Sequence, residues 1–161
     1  MIEARALLLV DGLSDEPLGR HVAAMARGHA VRLVVVAPSF DRMTKPPGRR
    51  VIDRLARILA IDDEFDVLIV HRDAEREAAE SRAEEIRAAS ATAGIAWPTI
   101  PIIPIRMTEA WLLLDEQAIR EVAGRPTGKT PLNLPPLARV ETTPDPKAML
   151  KQALATASGL S

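Results

Sequence analysis

The sequence of 161 residues contains no cysteine and no tyrosine, and its only aromatic residues are two phenylalanines and two tryptophans. The absence of cysteine excludes disulfide frameworks, thiolate nucleophiles, iron–sulfur sites and zinc sites built on thiolates. Three histidines leave little nitrogen for a metal site, so a metal would need oxygen ligands. With so few aromatic rings, base-stacking platforms of the RNA-recognition or single-strand-binding type are not expected.

Neither charge of one sign nor long apolar segments dominate the chain. Twenty-one basic and twenty-two acidic residues leave a formal net charge of −1, so the chain as a whole does not attract nucleic acid. The longest apolar stretches, such as residues 33–37, are far shorter than the roughly 20 residues of a membrane span. The first dozen residues lack the long apolar core of an export signal. We therefore expect a soluble, cytoplasmic protein that does not bind membranes.

Short apolar runs alternate along the chain with segments of helical spacing. The runs span residues 4–10, 30–37, 66–71 and 99–105. They are continuous rather than alternating, which is typical of strands buried on both faces. The helical segments between them span residues 18–28, 52–59 and 75–93. Strands joined by helical crossovers predict a Rossmann-like α/β fold, with a four-stranded mostly parallel sheet and helices on both faces.

The pattern changes after the fourth run. Thr108 to Val122 has helical spacing, and Gly124 is a typical helix stop. Residues 125–146 hold six of the thirteen prolines and no clear periodicity, which predicts a long extended loop. A last helix is predicted at residues 147–157.

No internal repeat, low-complexity tract or composition shift marks a second domain. A length of 161 residues is ordinary for one domain with a substantial core. We predict a single domain over residues 1–161. Its core spans about 1–123, and the proline-rich loop with the C-terminal helix spans about 124–161.

Acidic residues follow three of the predicted strands. In open parallel sheets, ligands bind at the carboxyl ends of the strands. The first strand leads into Asp11, the third into Asp73 and Glu75, and the fourth into Glu109. In a strand order 2-1-3-4 the first and third strands are neighbours, so Asp11, Asp73 and Glu75 would converge. Three close carboxylates repel unless a cation neutralises them, and Mg²⁺ or Mn²⁺ suits such oxygen ligands.

Helix capping is an alternative explanation of the same residues. Ser, Thr and Asp cap helices, and acids in a first turn favour the helix dipole. Asp15, Asp73 with Glu75, and Thr108 with Glu109 would all fit this role. Asp11 lies too early to cap a helix well, and the same predicted edge carries acids three times. Both interpretations stay open at this level.

The loop after the second predicted strand, residues 38–50, is basic. Its cations are Arg42, Lys45, Arg49 and Arg50. Beside an acidic metal site, such residues would hold the phosphates that flank a reacting one. Arg106 would act on the same phosphate or pair with Glu109. The alternative is a solvated surface loop stiffened by proline.

Four motifs resemble one bacterial family. They are Asp11-Gly12-Leu13-Ser14-Asp15, His71-Arg72-Asp73-Ala74-Glu75, Pro104-Ile105-Arg106-Met107-Thr108-Glu109-Ala110-Trp111-Leu112-Leu113 and Asp145-Pro146-Lys147. They resemble an uncharacterised TOPRIM-like family that is often encoded beside AAA-type ATPases in phage-defence operons. The resemblance covers nearly the whole chain. Its most specific part is the helix start at Glu109 together with the late Asp-Pro-Lys motif.

The resemblance implies a TOPRIM domain, the Mg²⁺-binding module of topoisomerases, primases and overcoming-lysogenization-defect nucleases. Carried over by motif, Asp11 acts in proton transfer, and Asp73 with Glu75 holds the metal. The family pattern has Glu where this chain has Asp11, and Asp where it has Glu75. The side chain at position 11 is therefore shorter by one methylene than in the family pattern, and that at position 75 is longer by one. Glu109 matches a family motif as a ligand or an orienting group.

Residues and resemblance together predict a Mg²⁺-dependent phosphodiesterase. We expect a nuclease, with DNA preferred over RNA as substrate, that acts as a component of a phage-defence or toxin system. Asp11, Asp73, Glu75 and Glu109 form its predicted catalytic set. A near-neutral domain with a small basic patch would bind nucleic acid together with a partner. An ATPase subunit is the natural candidate for this partner. A homo-oligomer is also left open.

Two other functions are compatible with the sequence. A catalytically degenerate TOPRIM-like subunit would bind a partner or a nucleotide, and the exchanged acids at Asp11 and Glu75 favour it. Residues 10–17 also resemble the start of cofactor-independent phosphoglycerate mutases. Those enzymes need further Asp and His ligands and a Ser or Thr nucleophile that this sequence does not visibly supply.

Overall fold

The structure of the protein is a computed structural model that describes residues 1–74 and 77–159. Contacts between residues divide the chain into two compact units. The first consists of Met1–Arg72 and Ala78–Ile103, and the second of Asp73–Glu77 and Pro104–Ser161. The assignment of the whole chain to one domain stays a prediction.

The first unit contains a four-stranded sheet in which every strand pair is parallel. The strands are β1 (Ile2–Leu9), β2 (Val31–Val36), β3 (Val67–His71) and β4 (Thr99–Ile102). Their order is β2-β1-β3-β4, so β1 lies between β2 and β3. This confirms the predicted α/β fold and the adjacency of the first and third strands, on which the site prediction depends. The fourth strand ends earlier than predicted.

Three helices cross over between these strands. They are α1 (Leu18–Gly28), α2 (Val51–Leu59) and α3 (Ala79–Thr92). The first two lie within one residue of their predicted bounds. The third begins at Ala79 rather than at residue 75. The residue at its N-cap is Ala78, which offers no side-chain cap.

Alternate residues of β1 enter two different cores, because successive side chains of a strand point to opposite faces. Leu7 and Leu9 pack with Leu55 of α2 and Ile86 of α3. Ala6, Leu8 and Val10 pack on the opposite face, where partly buried residues of α1 cover them. Helices therefore lie on both faces of the sheet, as predicted from the unbroken apolar runs.

Gly19 explains how closely α1 packs on the sheet. It is buried, and a Cβ at this position would lie 3.2 Å from Cγ1 of Val35 and 3.4 Å from Cδ2 of Leu8. A larger side chain would push α1 away from β1 and β2. The segment that links the end of β1 to α1 is thus held between fixed elements.

The described residues of the second unit form three α-helices. They are α4 (Glu109–Leu112), α5 (Glu116–Val122) and α6 (Pro146–Ser158). The prediction of one helix from Thr108 to Val122 is therefore wrong. Asp115 interrupts it, with an extended backbone and a side chain that accepts a hydrogen bond of 2.9 Å from the backbone N–H of Ala118. Leu112 and Leu114 beside this break are about half exposed.

The proline-rich segment contains regular structure that the sequence pattern did not indicate. Residues Leu137–Thr142 form a 3-10 helix. Asp145 then caps α6 by accepting a hydrogen bond of 2.9 Å from the N–H of Ala148, and buried Pro146 occupies the first helical turn. Ile119 and Leu132 pack with Ala153 and Ala157 of α6 to form a small core. None of the helices in residues 1–74 and 77–159 is long and apolar enough to cross a bilayer.

Candidate functional site

The carboxyl ends of β1, β2 and β3 lie at one edge of the first unit, because the three strands are parallel neighbours. The chain leaves β1 through residues 10–17, leaves β2 through residues 38–50 and leaves β3 at His71 and Arg72. We refer to these three segments as the strand-exit edge. Asp11 lies there, two residues beyond the end of β1, as the sequence predicted.

Arg72 connects the exits of β1 and β3. Its Nε lies 3.1 Å from Oδ1 of Asp11, and its Nη1 donates a hydrogen bond of 3.1 Å to the backbone carbonyl of Arg49. The same Nη1 is 3.7 Å from Oε1 of Glu85 on α3. The side chain of Arg72 is only 16 % exposed, so this ion pair is less screened by solvent than one between two surface residues. The carboxylate of Asp11 is thereby oriented and partly neutralised.

Arg54 contacts the main chain that carries Asp11. It projects from α2, donates one hydrogen bond to the carbonyl of Val10 and a second, of 3.3 Å, to the carbonyl of Asp11. Its guanidinium carbon lies 5.2 Å from the ring centroid of Phe40, at the exit of β2. Burial lowers the pKa of Arg54, and the negative charge of Asp11 opposes that effect. Arginine nevertheless stays protonated at neutral pH, so a buried positive charge lies beside the Asp11 segment.

Two further contacts hold the residues that follow Asp11. The carboxylate of Asp15 accepts a hydrogen bond of 3.2 Å from the backbone N–H of Gly12. The Ser39 hydroxyl donates a hydrogen bond of 2.5 Å to Glu16, which links the exits of β1 and β2. Asp15 thus closes the turn after Asp11 instead of capping α1, whose N-cap is Pro17.

His71 is the last residue of β3 and is fully buried. Its Nδ1 lies 3.9 Å from Oδ2 of Asp15. Burial lowers the pKa of His71, although the negative charges of Asp15 and Asp11 act in the opposite direction. The imidazole is therefore neutral at pH 7 and packs beneath the strand-exit edge.

This burial predicts a pH dependence of folding. The unfolded chain binds a proton at His71 near pH 6.5, whereas the folded chain binds it only at lower pH. The stability that neutral His71 contributes is present above pH 6.5 and is lost as the pH falls below it, by up to about 1.4 kcal/mol per pH unit. Urea unfolding between pH 7.5 and 5.5, without divalent ions, measures this slope.

His71→Asn should flatten that slope, because asparagine does not titrate. The matched control is His21→Asn on the exposed face of α1, which should leave the slope as in the wild type. An equal slope in the wild type and in His71→Asn would show that His71 does not titrate differently on folding.

A narrow pocket of about 10 Å³ lies at the strand-exit edge. Asp11, Glu16 and Asp41 line it together with Ser39 and Arg54. It therefore has room for about one water molecule beside the buried guanidinium of Arg54.

The basic residues of the loop 38–50 lie in this unit and are exposed: Arg42, Lys45, Arg49 and Arg50. Arg50 is engaged, since its Nε and Nη2 donate hydrogen bonds of 2.9 and 2.7 Å to Asp53 of α2. This contact lowers the pKa of Asp53. The phosphate-binding role of all four residues stays a prediction. Arg50 would have to break its hydrogen bonds to Asp53 in order to bind a phosphate.

Asp73 belongs to the second unit and is half-buried. The next residue, Ala74, is fully buried and donates a backbone hydrogen bond of 2.9 Å to the carbonyl of Pro104. Because α3 begins only at Ala79, Asp73 does not cap that helix, and the capping explanation fails for it. Glu75, the other predicted metal ligand, lies outside the described residues.

Glu109 is the first residue of α4, and its Oε1 lies 3.7 Å from Nζ of Lys147. The side chain of Thr108 occupies the N-cap without making a capping hydrogen bond. Arg106 is exposed in the same unit. Asp145 caps α6 and Lys147 faces Glu109, so the Asp-Pro-Lys motif has a structural role around the start of α4.

Trp111 of α4 is fixed by the 3-10 helix of the proline-rich segment. Its indole N–H donates a hydrogen bond of 2.5 Å to Oε1 of Glu141, and Oε2 of Glu141 accepts one of 3.3 Å from the backbone N–H of Ile105. Glu141 therefore joins the chain after β4 to α4. The motif around Trp111 thus holds Glu109 in a defined place within its unit.

Comparison of the chain with protein-family models, with curated proteins and with solved structures found no match. The family resemblance therefore stays a prediction. In residues 1–74 and 77–159, no three His, Asp or Glu side chains form a group that could hold a metal ion. Mg²⁺ is commonly held by one or two carboxylates with waters completing its shell, and Asp11 supplies a hard oxygen of the required kind.

Sequence reasoning missed Arg54 and gave no role to Arg72. Arg54 had a detectable signal, because Val51, Leu55 and Ile58 mark the buried stripe of α2 and position 54 lies on it. An arginine on a buried stripe is unusual unless it is paired. Arg72 stands inside the motif around Asp73, but only the strand pairing shows that it reaches Asp11.

Proposed function

We propose that the protein is a Mg²⁺-dependent phosphodiesterase of the TOPRIM type, acting on DNA. The observation that carries the proposal is the position of Asp11, directly after the central strand β1 and held by Arg72 of the neighbouring strand exit at 3.1 Å. This is the edge at which parallel α/β sheets bind ligands. The basic loop 38–50 follows β2 at the same edge.

In this proposal Asp11 accepts a proton from the attacking water, and Arg72 holds its carboxylate through the ion pair at 3.1 Å. Asp73 and Glu75 are the proposed metal ligands, and Glu109 is an orienting group. A bound Mg²⁺ would stabilise the charge that develops on the phosphate. Arg42, Lys45, Arg49 and Arg106 would hold flanking phosphates, and Arg50 would join them by leaving Asp53.

The small basic patch supports shared substrate binding. With a formal charge of −1, the chain gains little non-specific attraction to DNA. We therefore propose an ATPase partner that contributes affinity, in a phage-defence or toxin system. Association of two copies of this chain is compatible with the same argument.

The test is cleavage of supercoiled plasmid, single-stranded DNA and RNA by the purified protein with Mg²⁺ or Mn²⁺. Asp73→Asn should lose metal-dependent cleavage and weaken metal binding measured by titration calorimetry, because it removes a charged ligand. Asp63→Asn makes the same change on an exposed loop before β3 and should behave as the wild type. Unchanged cleavage in Asp73→Asn would remove Asp73 from the site.

A second function is a non-catalytic subunit that binds a nucleotide or a protein partner. The ion pair between Asp11 and Arg72 favours it, because the arginine already neutralises the carboxylate without a metal. Calorimetry separates the two functions. A wild-type protein that binds neither Mg²⁺ nor Mn²⁺, and still binds a nucleotide or the partner, would be such a subunit.

A further inference from the structure

Arg54 is a buried charge on the apolar stripe of α2. The residue is 7 % exposed and lies between Val51, Leu55 and Ile58 on the apolar stripe of α2. Its Nε is buried and has no hydrogen-bond partner among the described residues. A buried donor without an acceptor costs stability.

The hydrogen bonds that Arg54 does make are directed at one feature. Both of its terminal nitrogens donate to consecutive carbonyls, those of Val10 and Asp11. These carbonyls follow the last residue of β1, Leu9, and so lie beyond the β1 strand itself. A guanidinium can serve two neighbouring acceptors at once because its donors form a planar fork.

The other side of the guanidinium is fixed as well. Phe40 belongs to the exit of β2 and lies 5.2 Å from the guanidinium carbon, within the range of a cation–π contact. Arg54 therefore ties together α2, the exit of β1 and the exit of β2. Arg54 also contacts the main chain of Asp11, the residue to which we assign proton transfer.

We infer that Arg54 is a positioning residue, which fixes the main chain at Asp11 so that the carboxylate meets its reacting partner. The inference rests on the proposed function, since it names the residue that orients the proposed proton acceptor. Residues that break a local rule of folding are often found at functional sites. A displacement of about 1 Å in such a group can cost about 10²-fold in rate.

Arg54→Lys is the informative variant, because lysine keeps the charge but cannot serve both carbonyls with one planar fork. Its kcat for cleavage should fall about 10²-fold, with little change in KM, because the basic loop that holds the substrate is intact. The matched control is Arg57→Lys, an exposed position one turn further along α2, which should cleave as the wild type does. Both variants should unfold at similar urea concentrations.

A second measurement does not depend on cleavage. In ¹⁵N spectra, Arg54→Lys should shift the backbone amides of residues 11–15 and accelerate their hydrogen exchange, whereas Arg57→Lys should not. If the wild type fails to cleave any substrate, the proposed function fails, and this measurement still decides whether Arg54 orders the Asp11 segment. The inference would be overturned if the amide shifts and the kcat of Arg54→Lys match those of Arg57→Lys. It would also be overturned if Arg54→Lys loses stability but keeps the wild-type kcat and amide shifts.

Discussion

Asp11→Asn is expected to lower the rate of metal-dependent cleavage by about 10³-fold. Removing a positioned group that transfers a proton costs 10²- to 10⁴-fold, and asparagine cannot accept a proton at neutral pH. The amide is nearly isosteric with the carboxylate, so the contacts of Arg54 with the main-chain carbonyls are retained. The measurement is single-turnover cleavage of a labelled oligonucleotide at saturating metal.

The fold of Asp11→Asn should stay close to that of the wild type. Arg72 loses its ion pair with Asp11 but keeps the carbonyl of Arg49 and the carboxylate of Glu85. The lost pair is partly exposed, so the free energy of unfolding should change by less than about 1 kcal/mol. Asp63→Asn serves again as the control for the loss of one charge. Wild-type rates in Asp11→Asn would assign the chemistry to another residue.

The strands of this protein were predictable because each contains a short apolar run. Residues 66–71 predicted β3 almost to the residue, since four successive apolar residues form most of a strand that is buried on both faces. The sequence predicted a parallel sheet but left the strand order as a condition of the site prediction. The structure fulfils that condition, because β1 and β3 are neighbours in the order β2-β1-β3-β4.

The break between α4 and α5 was not predictable from apolar spacing. Spacing continues through Leu112, Leu113 and Leu114, whereas the helix ends because the side chain of Asp115 hydrogen-bonds the backbone of the next turn. Aspartate competes with helical hydrogen bonds in this way. Periodicity records which residues are apolar and does not record such competition.

The main-chain position of Asp11 was predictable, but the side chains that contact it were not. Asp11 was placed correctly from its distance to the end of β1, because main-chain position follows from the strand. Its partners are Arg72, which follows β3, and Arg54 of α2, at sequence separations of 61 and 43 residues. Local spacing carries no information on side chains that meet over such separations, so only the folded chain reveals them.

Leu7→Ala is expected to destabilise the first unit by about 2–5 kcal/mol, which is the usual cost of truncating a buried leucine. Leu7 is completely buried in the central strand and contributes to the core that α2 and α3 cover. The cavity cannot close easily, because β1 is bonded to β2 on one side and to β3 on the other. Urea unfolding followed by circular dichroism gives the free energy.

Val34→Ala is the matched control, since it also shortens an aliphatic side chain in the sheet. Val34 lies on the edge strand β2 and is 53 % exposed, so its loss should cost no more than about 1 kcal/mol. Equal losses in the two variants would mean that the core at Leu7 can collapse around the missing atoms. The site prediction would then weaken as well, because Asp11 follows the end of this strand by only two residues.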